Sequence, residues 1–514
     1  MRAVLVVAWC GAIASGLTPP PRRRAFRFGA TPGDDGSGWL GAAPLLTKRN
    51  AARGAVVAAA AGGCASRSLR RTVRFQCGAG RIAGSYVRYG VETSLLRRPR
   101  DLDAVHEATG RRLEALVADM RGAYIKSAQL LSTAFPELLP APWVRRLEGM
   151  TDDAPARPWA TTRRVLEREL GVPLASVFRA FAEEPVGAAS IGQVHRAVVR
   201  ATNRTVAVKV QFPGARALML SDLANVRRVV RLVKPALLPA VDEFRERVQG
   251  EFDYVEEARR MDACGTFLRR KRPRLGRRVV IPRSDPSLTT ERVLTMDWLD
   301  GRSLRDSLTF EYDRARATGF FLERWARLYL LRRKAKAAVK LVAEASGELI
   351  FGAACGFSAD PHPGNVLVLE DGRLALIDYG CHVAFDTNQR RTLADLYVAL
   401  DRGDDAEAVD ALADMGFVSE NMNRTLMAAF ATQCFDRDLS DDSPYVYLTK
   451  LERYDRVIVI PRQYMLVTRV SLLLRGLGSR VGCGRLSMAR LWRRPARRAQ
   501  RALPPRARRS RSRP

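Results

Sequence analysis

The chain has 514 residues, 47% of them hydrophobic, so it can bury a sizeable core and wholesale disorder is excluded. Its formal net charge of +32 would ordinarily suggest a nucleic-acid partner, but residues 1–100 carry 17 Lys/Arg against 3 Asp/Glu, and residues 484–514 carry 12 Arg and no acid. The middle of the chain is nearly balanced, so we expect no nucleic-acid surface there. The eight cysteines form no CxxC pair, which disfavours a zinc site or a disulfide framework and favours a reducing compartment.

The N-terminus has the features of a targeting presequence. Residues 1–16 contain an arginine, an apolar run too short to span a membrane, and then small residues, as in a secretory-type signal. Residues 17–33 are rich in arginine, as in a transit peptide. A signal followed by a transit peptide resembles the bipartite presequences of algal secondary plastids. Residues 1–50 are therefore predicted to direct the chain to a plastid, with a mitochondrial address or a disordered basic tail as alternatives.

The pattern then becomes helical. In 101–135 apolar residues recur at spacings of three and four, which predicts an amphipathic helix. Residues 136–158 contain five prolines and are expected to form a loop with a short helix. Residues 160–170 predict another helix, which ends at Gly171. Together these elements define an N-terminal helical extension over residues 81–175.

After residue 186 the period changes to that of β-strands. The runs VHRAVVR and TVAVKVQF favour two strands joined by a hairpin turn at residues 202–204. Two helices and a further strand-forming region are predicted to follow, over 215–235, 242–270 and 278–300. Residues 176–300 are thus predicted to form a lobe built around a sheet.

Beyond residue 301 the chain is predicted to be largely helical as far as 483. Its stretch 326–340 carries six Arg/Lys and is predicted to be a solvated helix face, with a lipid-facing role as the alternative. Residues 484–514 are rich in Arg and Pro and are predicted to be a disordered tail.

One stretch of this second lobe, residues 356–380, has the side chains of a phosphate-handling site. Asp360 and Asn365 lie in DPHPGN, where two prolines and a glycine favour a rigid loop over a helix. Two apolar runs follow, joined by an Asp-Gly hairpin signal that would return Asp378 beside Asn365. Phosphoryl transfer uses one carboxylate near the acceptor, and an amide with a second carboxylate that hold Mg²⁺. A polar loop with chance carboxylates is the alternative.

A site of this kind also needs a lysine on a strand and an acidic partner on a helix. Lys209 ends VAVK after an apolar run, as in the protein-kinase pattern V-A-I-K. The helix predicted over 242–270 offers Glu251 and Glu257 as the leading partners, nearly two turns apart. A solvated acidic face is the alternative for these carboxylates.

The expected lid over the phosphates departs from the protein-kinase pattern. In place of G-x-G-x-x-G the chain has VGAASIGQVH, with Ala188 and Ala189 between Gly187 and Gly192. No Gly-Lys-Ser/Thr follows, so the loop is not a Walker A loop either. Alanine methyl groups restrict how closely backbone N–H groups can approach a phosphate. A standard kinase lid is therefore absent from the sequence.

With this loop the chain resembles the UbiB family of atypical kinases, also called the aarF-domain or ADCK family. The family has an alanine-rich loop, a K-x-G-Q motif, an E-x-D followed by E-A, an HADPHPGN loop and a DFG or DYG. The matches here are GAASIGQVH, Lys126-Ser127-Ala128-Gln129, Glu251-Phe252-Asp253, Glu257-Ala258, SADPHPGN from Ser358, and Asp378-Tyr379-Gly380. Their order and spacing agree over about residues 100–385. The resemblance implies an α+β, two-lobed protein-kinase-like fold with an N-terminal helical extension.

The resemblance also implies roles for individual residues. Lys209 would contact the nucleotide phosphates and pair with Glu257 rather than Glu251. Asp360 would stand where the catalytic aspartate stands, and Asn365 and Asp378 would bind Mg²⁺.

Further residues would hold the nucleotide or restrict access to it. The alanine-rich loop and the hinge would form the nucleotide site, through Gly187, Ala188, Ala189, Ser190, Met296, Asp297 and Leu299. Lys126 and Gln129 would lie over the active site and obstruct protein substrates, with Glu251 and Asp253 as their polar partners.

The sequence departs from the family pattern at several positions. Ala128 replaces the glycine of K-x-G-Q, and Gly187 opens the alanine-rich loop. Ser358 replaces the histidine that precedes the catalytic aspartate, so any orienting role of that ring is lost. The stretch 305–350 is also longer and more basic than the family suggests, as an insertion would be.

The function implied by the resemblance is Mg²⁺-dependent binding of ATP or ADP with ATPase or small-molecule kinase activity. Members support isoprenoid quinone and other lipid metabolism in organelles, so a lipid or quinone precursor and a membrane surface are the expected partners. The alternative is a nucleotide-sensing pseudokinase that scaffolds a biosynthetic complex without turnover. Nucleic-acid binding through the basic ends is not expected.

Overall fold

A computed structural model describes residues 67–98, 100–125, 127–128, 139–148, 156–189, 191–233, 238–441, 444–459 and 462–505. The predicted presequence and three predicted site residues, Lys126, Gln129 and Ser190, lie outside the described residues.

The helices, in chain order, are α1 Arg67–Gly90, α2 Leu102–Met120, α3 Ala141–Glu148, α4 Trp159–Leu170, α5 Leu174–Val177, α6 Ala215–Val233, α7 Leu238–Gly250, α8 Tyr254–Lys271, α9 Pro273–Gly276, α10 Leu304–Arg316, α11 Phe321–Gly352, α12 Thr387–Arg402, α13 Asp405–Asp414, α14 Arg424–Ala431, α15 Pro444–Glu452, α16 Arg462–Arg480 and α17 Met488–Ala502. The strands are β1 Phe178–Phe181, β2 Gly187–Ala188, β3 Gly192–Val199, β4 Thr205–Gln211, β5 Val279–Val280, β6 Val293–Asp297, β7 Gly301–Ser303, β8 Phe357–Ser358, β9 Val366–Leu369, β10 Leu374–Leu376, β11 His382–Val383, β12 Val418–Ser419 and β13 Val457–Val459.

The chain divides into two compact units. The described parts of Met1–Pro155, Ala188–Ile191 and Pro213–Glu246 belong to the first, and those of Ala156–Gly187, Gly192–Phe212 and Arg247–Pro514 to the second.

The first unit is helical and has its own core. Apolar side chains of α1, α2 and α6 bury one another, including Phe75, Val117, Met120 and Val226. A buried ion pair joins α1 to α6, because Arg71 Nη2 lies 2.7 Å from Asp222 Oδ2.

The helix predicted within 101–135 is confirmed over α2, but it is interrupted after Met120. The next residue, Arg121, has φ 54°, and a right-handed helix cannot accommodate a positive φ.

The second unit opens with an antiparallel sheet in the strand order β1-β3-β4-β6. Strands β3 and β4 pair from Gly192↔Gln211 to Val198↔Thr205, joined by the predicted turn, where Asn203 has φ 56°. Helix α4 covers the inner face, where Leu166, Val206, Val208 and Val293 are fully or almost fully buried. The prediction that α4 ends at Gly171 is confirmed, since Gly171 caps it with φ 73°.

A second sheet in the order β5-β10-β9-β7 carries the hairpin predicted to follow the DPHPGN loop. Strands β9 and β10 pair antiparallel, with Leu376 opposite Val366, and the turn between them places Gly372 at φ 82°. The hairpin prediction is therefore confirmed. Because Ile377 N donates to Asn365 O at 3.2 Å, the chain after β10 returns to the loop it left.

The C-terminal helix α17 packs against α11. Trp492 of α17 is fully buried, and its Nε1 donates to Ala343 O of α11 at 2.7 Å. The prediction of a disordered tail from 484 is wrong for residues 488–502. Helix α17 has an apolar side, with Met488, Ala489, Trp492 and Ala496 buried, which outweighs the charge of its exposed arginines.

The prediction of one helix over 242–270 is also wrong. Helix α7 ends at Gly250, Phe252 turns into the core with 1% of its surface exposed, and Asp253 caps α8 by accepting a hydrogen bond from Glu256 N. Glycine at a helix end and aspartate at the next N-cap are ordinary boundary signals. Glu251 therefore precedes α8, whereas Glu257 lies in its first turn.

In the part of the chain that the structure describes, no helix is both long enough and apolar enough to cross a lipid bilayer.

Candidate active site

A partly buried ion pair joins the sheet to α8. Lys209 Nζ of β4 lies 2.8 and 3.0 Å from the two carboxylate oxygens of Glu257. The side chain of Glu257 is 4% exposed and that of Lys209 is 21% exposed. Glu257 lies in the first turn of α8, where the helix dipole stabilises a carboxylate. Of the two acids that the sequence offered, the structure thus pairs Glu257 with the lysine.

The electrostatics of this pair favour a charged lysine. Burial opposes the charge on Lys209, but the carboxylate of Glu257, helped by Tyr254 and Asp378, outweighs burial and raises the pKa of the ammonium. Burial also raises the pKa of the Glu257 carboxyl, against the attraction of Lys209. Since Lys209 contacts both oxygens of Glu257, we take the pair as ionised at neutral pH.

Tyr254, which the sequence reasoning missed, completes the surroundings of the lysine. The Lys209 ammonium lies 4.8 Å from the centre of the Tyr254 ring, close enough for a cation–π interaction. Tyr254 is fully buried, and its hydroxyl has no hydrogen-bond partner among the described residues. Burial raises the pKa of that hydroxyl, so it stays neutral. Tyr254 precedes Glu257 by three residues, which places both on one face of a helix, and this spacing could have identified Tyr254 as a neighbour of the lysine.

The DPHPGN loop, residues 360–365, and the hairpin after it bring together the three polar residues predicted for the site. Asn365 Nδ2 donates to Asp378 Oδ2 at 3.1 Å and lies 3.3 Å from Asp360 O. Asp378 Oδ1 accepts from Gly380 N at 3.0 Å, which fixes the second oxygen of that carboxylate. The side chains of Asn365 and Asp378 are therefore adjacent, and the backbone of Asp360 is bonded to Asn365.

A second missed residue contacts the side chain of Asp360. Arg469 of α16 places Nη2 3.2 Å from Asp360 Oδ1. Burial acts against the charge on Arg469, but Asp360 outweighs it and raises the pKa of the guanidinium. Arg469 lies in the apolar run LVTRVSLLL, where no motif marks it. Only the packing of α16 reveals its position.

The loop residues fit a magnesium ion that arrives with a nucleotide. Mg²⁺ in phosphate sites uses one or two protein oxygens and completes its shell with phosphate and water. Asn365 and Asp378 supply an amide and a carboxylate at adjacent positions. No group of three or more His, Cys, Asp or Glu in the described ranges could hold a metal by itself. The residues thus suit a metal shared with phosphates better than a resident metal.

The predicted hinge residues end strand β6. Met296 pairs with Ala207 and Asp297 with Val206 across the sheet, and Met296 is buried. The Asp297 carboxylate is already occupied, since it accepts from Arg204 Nη2 at 2.5 Å and from Arg283 N at 3.1 Å. Leu299 follows the strand and is half-buried.

The lid residues are only partly described. Gly187 and Ala188 form β2, and Ala189 is exposed. Gly192 begins β3, where a Cβ would lie 2.5 Å from Val210 O, so only glycine fits the close approach of the two strands.

The acidic residues of E-x-D take different positions. Asp253 is the N-cap of α8, and Glu251 is half-buried in the turn before it. Their predicted pairing with Lys126 and Gln129 stays a prediction, because those two residues are not described.

A histidine lies opposite Ser358 on the neighbouring strand. Ser358 itself occupies the position at which the family pattern has a histidine. His382 of β11 pairs with Ser358 of β8. A Cβ on Gly356 would lie 2.6 Å from His382 Cε1, so the ring packs against the start of the loop. Burial lowers the pKa of His382 to about 4, and Nε2 has no partner within the described residues. A neutral imidazole therefore supports this loop from the opposite strand.

Comparison with known proteins assigns the family. The ABC1 atypical kinase-like domain matches residues 149–436, more than half of the chain. The uncharacterised protein slr0889 of Synechocystis sp. is 31% identical over 56% of this chain and 68% of its own length. The chloroplastic protein ACTIVITY OF BC1 COMPLEX KINASE 1 of Arabidopsis thaliana is 28% identical over 71% of this chain. The chain spans 52% of that plant protein.

The solved structure of Rv3197 with erythromycin, from Mycobacterium tuberculosis, matches 74% of this chain and 97% of its own. Its sequence identity is 21% and its TM-score 0.44. The α+β, kinase-like fold class rests instead on the family match and on the sheets described above. The chain belongs to the ABC1 atypical kinase-like family, the UbiB/aarF family that its motifs resemble.

Proposed function

We propose that the chain binds ATP or ADP with Mg²⁺ and hydrolyses the nucleotide or transfers its terminal phosphoryl group to a small molecule. The observation that supports this most is the pairing of Lys209 with Glu257 in the same structural unit as the adjacent Asn365 and Asp378. Lysine–glutamate and aspartate–asparagine pairs are the parts that kinase-type phosphoryl transfer needs.

Each residue would have a distinct task in this reaction. Lys209, held charged by Glu257, would neutralise phosphate oxygens without being free to move away. Asn365 and Asp378 would hold Mg²⁺, which when bound neutralises charge on the transferred group. Asp360 would orient the attacking hydroxyl or water, and Arg469 would hold the Asp360 carboxylate in place.

The proposed acceptor is a lipid or a quinone precursor, and the proposed compartment is a plastid. The chloroplastic relative and the bipartite character of residues 1–50 support the compartment. The acceptor class rests on the family resemblance alone. A mitochondrion is the competing address, and localising a fluorescent fusion of the first 60 residues decides between them.

The proposal is tested by measuring nucleotide turnover with lipid and quinone-precursor analogues, for the wild type and for Asp360→Asn. The proposal predicts turnover by the wild type and its loss in the variant, while both proteins still bind nucleotide. Nucleotide binding with no turnover in either protein would instead identify a pseudokinase scaffold.

A further inference from the structure

The end of α10 and the start of α11 expose large apolar side chains. We call residues 310–330 the aromatic tip. Eight of its side chains are between 46% and 66% exposed: Phe310, Tyr312, Phe320, Phe321, Leu322, Trp325, Tyr329 and Leu330. Single exposed apolar residues are common on protein surfaces, but eight within a stretch of 21 residues indicate an interaction surface.

Within α11, the exposed large apolar side chains are confined to the first half of the helix. From Ala335 onward α11 has a buried side, with Val339 and Val342 fully buried, so this half anchors the helix in the second unit. In the first half, Phe321, Trp325 and Tyr329 follow one another at spacings of four and share one side of the helix. The Trp325 and Tyr329 rings stack with their centres 5.5 Å apart. The apolar side chains thus form a stripe on a firmly held helix.

The charge around the stripe is strongly positive. Residues 310–340 contain nine Arg or Lys against three Asp or Glu. Two of these arginines lie over aromatic rings of the tip, Arg316 over Tyr312 and Arg324 over Phe321. A third arginine from outside this range, Arg302, lies over Phe310. Further basic side chains, Arg333 and Lys334, are exposed one turn beyond Tyr329. Apolar and cationic groups are therefore interleaved on one surface.

This combination fits an anionic lipid bilayer better than a protein partner. Aromatic residues and arginine are also enriched at protein interfaces, but the core of such an interface is depleted in charged groups overall and in lysine. Residues 310–340 carry a net charge of +6 (nine minus three), including three lysines, and this excess suits an anionic headgroup region. There the rings contact acyl chains while the cations contact lipid phosphates. We propose that the aromatic tip inserts shallowly into the headgroup region of a bilayer that contains anionic lipid. The tip would thereby bring the second unit to a membrane.

The proposal stands on the exposed side chains and not on the nucleotide chemistry. Membrane binding should therefore survive Asp378→Asn, which removes a proposed metal ligand. Loss of nucleotide turnover with retained membrane binding would leave this inference intact.

The test is sedimentation of the full chain with phosphatidylcholine vesicles, with and without phosphatidylglycerol. The wild type should bind the anionic vesicles more tightly, and Trp325→Ser/Tyr329→Ser should weaken that binding about tenfold or more. The matched control is Tyr454→Ser/Ile458→Ser, which removes two exposed apolar side chains, 77% and 56% exposed, from the same unit. The control should bind like the wild type, and thermal unfolding should show that both variants fold.

A second readout separates insertion from attraction of the basic chain ends to anionic lipid. Lipids brominated on their acyl chains should quench tryptophan fluorescence in the wild type, and Trp325→Phe should lose most of that quenching. Equal vesicle binding by the tip variant and the wild type would overturn the proposal. So would a tip variant that changes only the oligomeric state, because that result would assign the surface to a second copy of the chain.

Discussion

Arg469 and Asp360 form an ion pair that links α16 to the DPHPGN loop, with 3.2 Å between Nη2 and Oδ1. Asp360 is the residue proposed to orient the acceptor, so its carboxylate has a fixed cation beside it before any substrate arrives. The position of α16, far along the chain, thus becomes part of the proposed chemistry.

Removing this arginine should slow turnover without weakening nucleotide binding. In Arg469→Ala the Asp360 carboxylate loses the group that holds it, and a misplaced catalytic group reduces kcat by about tenfold or more. Arg469→Lys should recover part of the loss, because it keeps a cation at this position. Steady-state kinetics with varied ATP separates the two effects, since KM for ATP should stay near the wild-type value. Arg485→Ala, on the exposed surface, is the control. A wild-type kcat for Arg469→Ala would show that the ion pair has no role in turnover.

Neutralising either of two neighbouring glutamates on α8 should have very different effects on the stability of the protein. Glu257→Gln leaves the ammonium of Lys209 without its buried counterion, which should lower the free energy of unfolding by about 3 kcal/mol and weaken nucleotide binding. Glu256→Gln removes ion pairs to Arg259 and Arg260 on the surface and should cost less than about 1 kcal/mol.

Denaturant unfolding and nucleotide titration of both variants measure this contrast. If both substitutions cost the same, the buried pair does not hold the site together.

His382 should make stability depend on pH in the acidic range. Its pKa is about 4 in the folded chain against 6.5 for an ordinary histidine, because burial disfavours the imidazolium. Between these values the unfolded chain binds more protons. The free energy of unfolding is therefore unaffected by the titration of His382 above pH 6.5. It falls by up to about 3 kcal/mol as the pH is lowered towards 4.

The measurement is the free energy of unfolding between pH 7 and pH 4 for the wild type and for His382→Gln. The variant should lose part of this pH dependence, whereas His362→Gln, which replaces an exposed histidine of the DPHPGN loop, should keep it. An unchanged pH dependence in His382→Gln would contradict the assignment.

The two glycines that flank the alanine-rich loop should differ in their tolerance of alanine. A Cβ at Gly192 would lie 2.5 Å from a backbone oxygen of β4, so Gly192→Ala should cost about 1–3 kcal/mol of stability. A Cβ at Gly187 has no atom within 4 Å, so Gly187→Ala should be close to neutral for stability. Thermal unfolding of the two variants tests the difference. Equal costs would mean that β3 and β4 can separate locally.

Local chemistry explains which parts of the structure could be predicted. The β9–β10 hairpin, the end of α4 and the turn at Asn203 follow from residues within a few positions, such as Asp-Gly or a C-terminal glycine. The pairing of Lys209 with Glu257 could not be predicted from local residues alone. Glu251 and Glu257 could be ranked only by family resemblance until the start of α8 was known.

The errors arise where distant packing decides. Helix α17 has a composition typical of a disordered tail, and only the burial of Trp492 against α11 explains its order. Arg469 lies in no motif, and its contact with Asp360 becomes apparent only when α16 is seen beside the DPHPGN loop. The helix break at Arg121 depends on a positive φ, which an arginine does not predict.

The central claim is that Asn365 and Asp378 hold magnesium on a bound nucleotide. The most direct test is the Kd for ATP and for ADP, with and without Mg²⁺, in the wild type, in Asp378→Asn and in Asp371→Asn. Asp371 is an exposed aspartate on the hairpin between Asn365 and Asp378, so its variant has the same change of charge. The account predicts that Mg²⁺ strengthens binding to the wild type and to Asp371→Asn, and that this effect disappears in Asp378→Asn. Equal Mg²⁺-dependent affinity in all three proteins would contradict it.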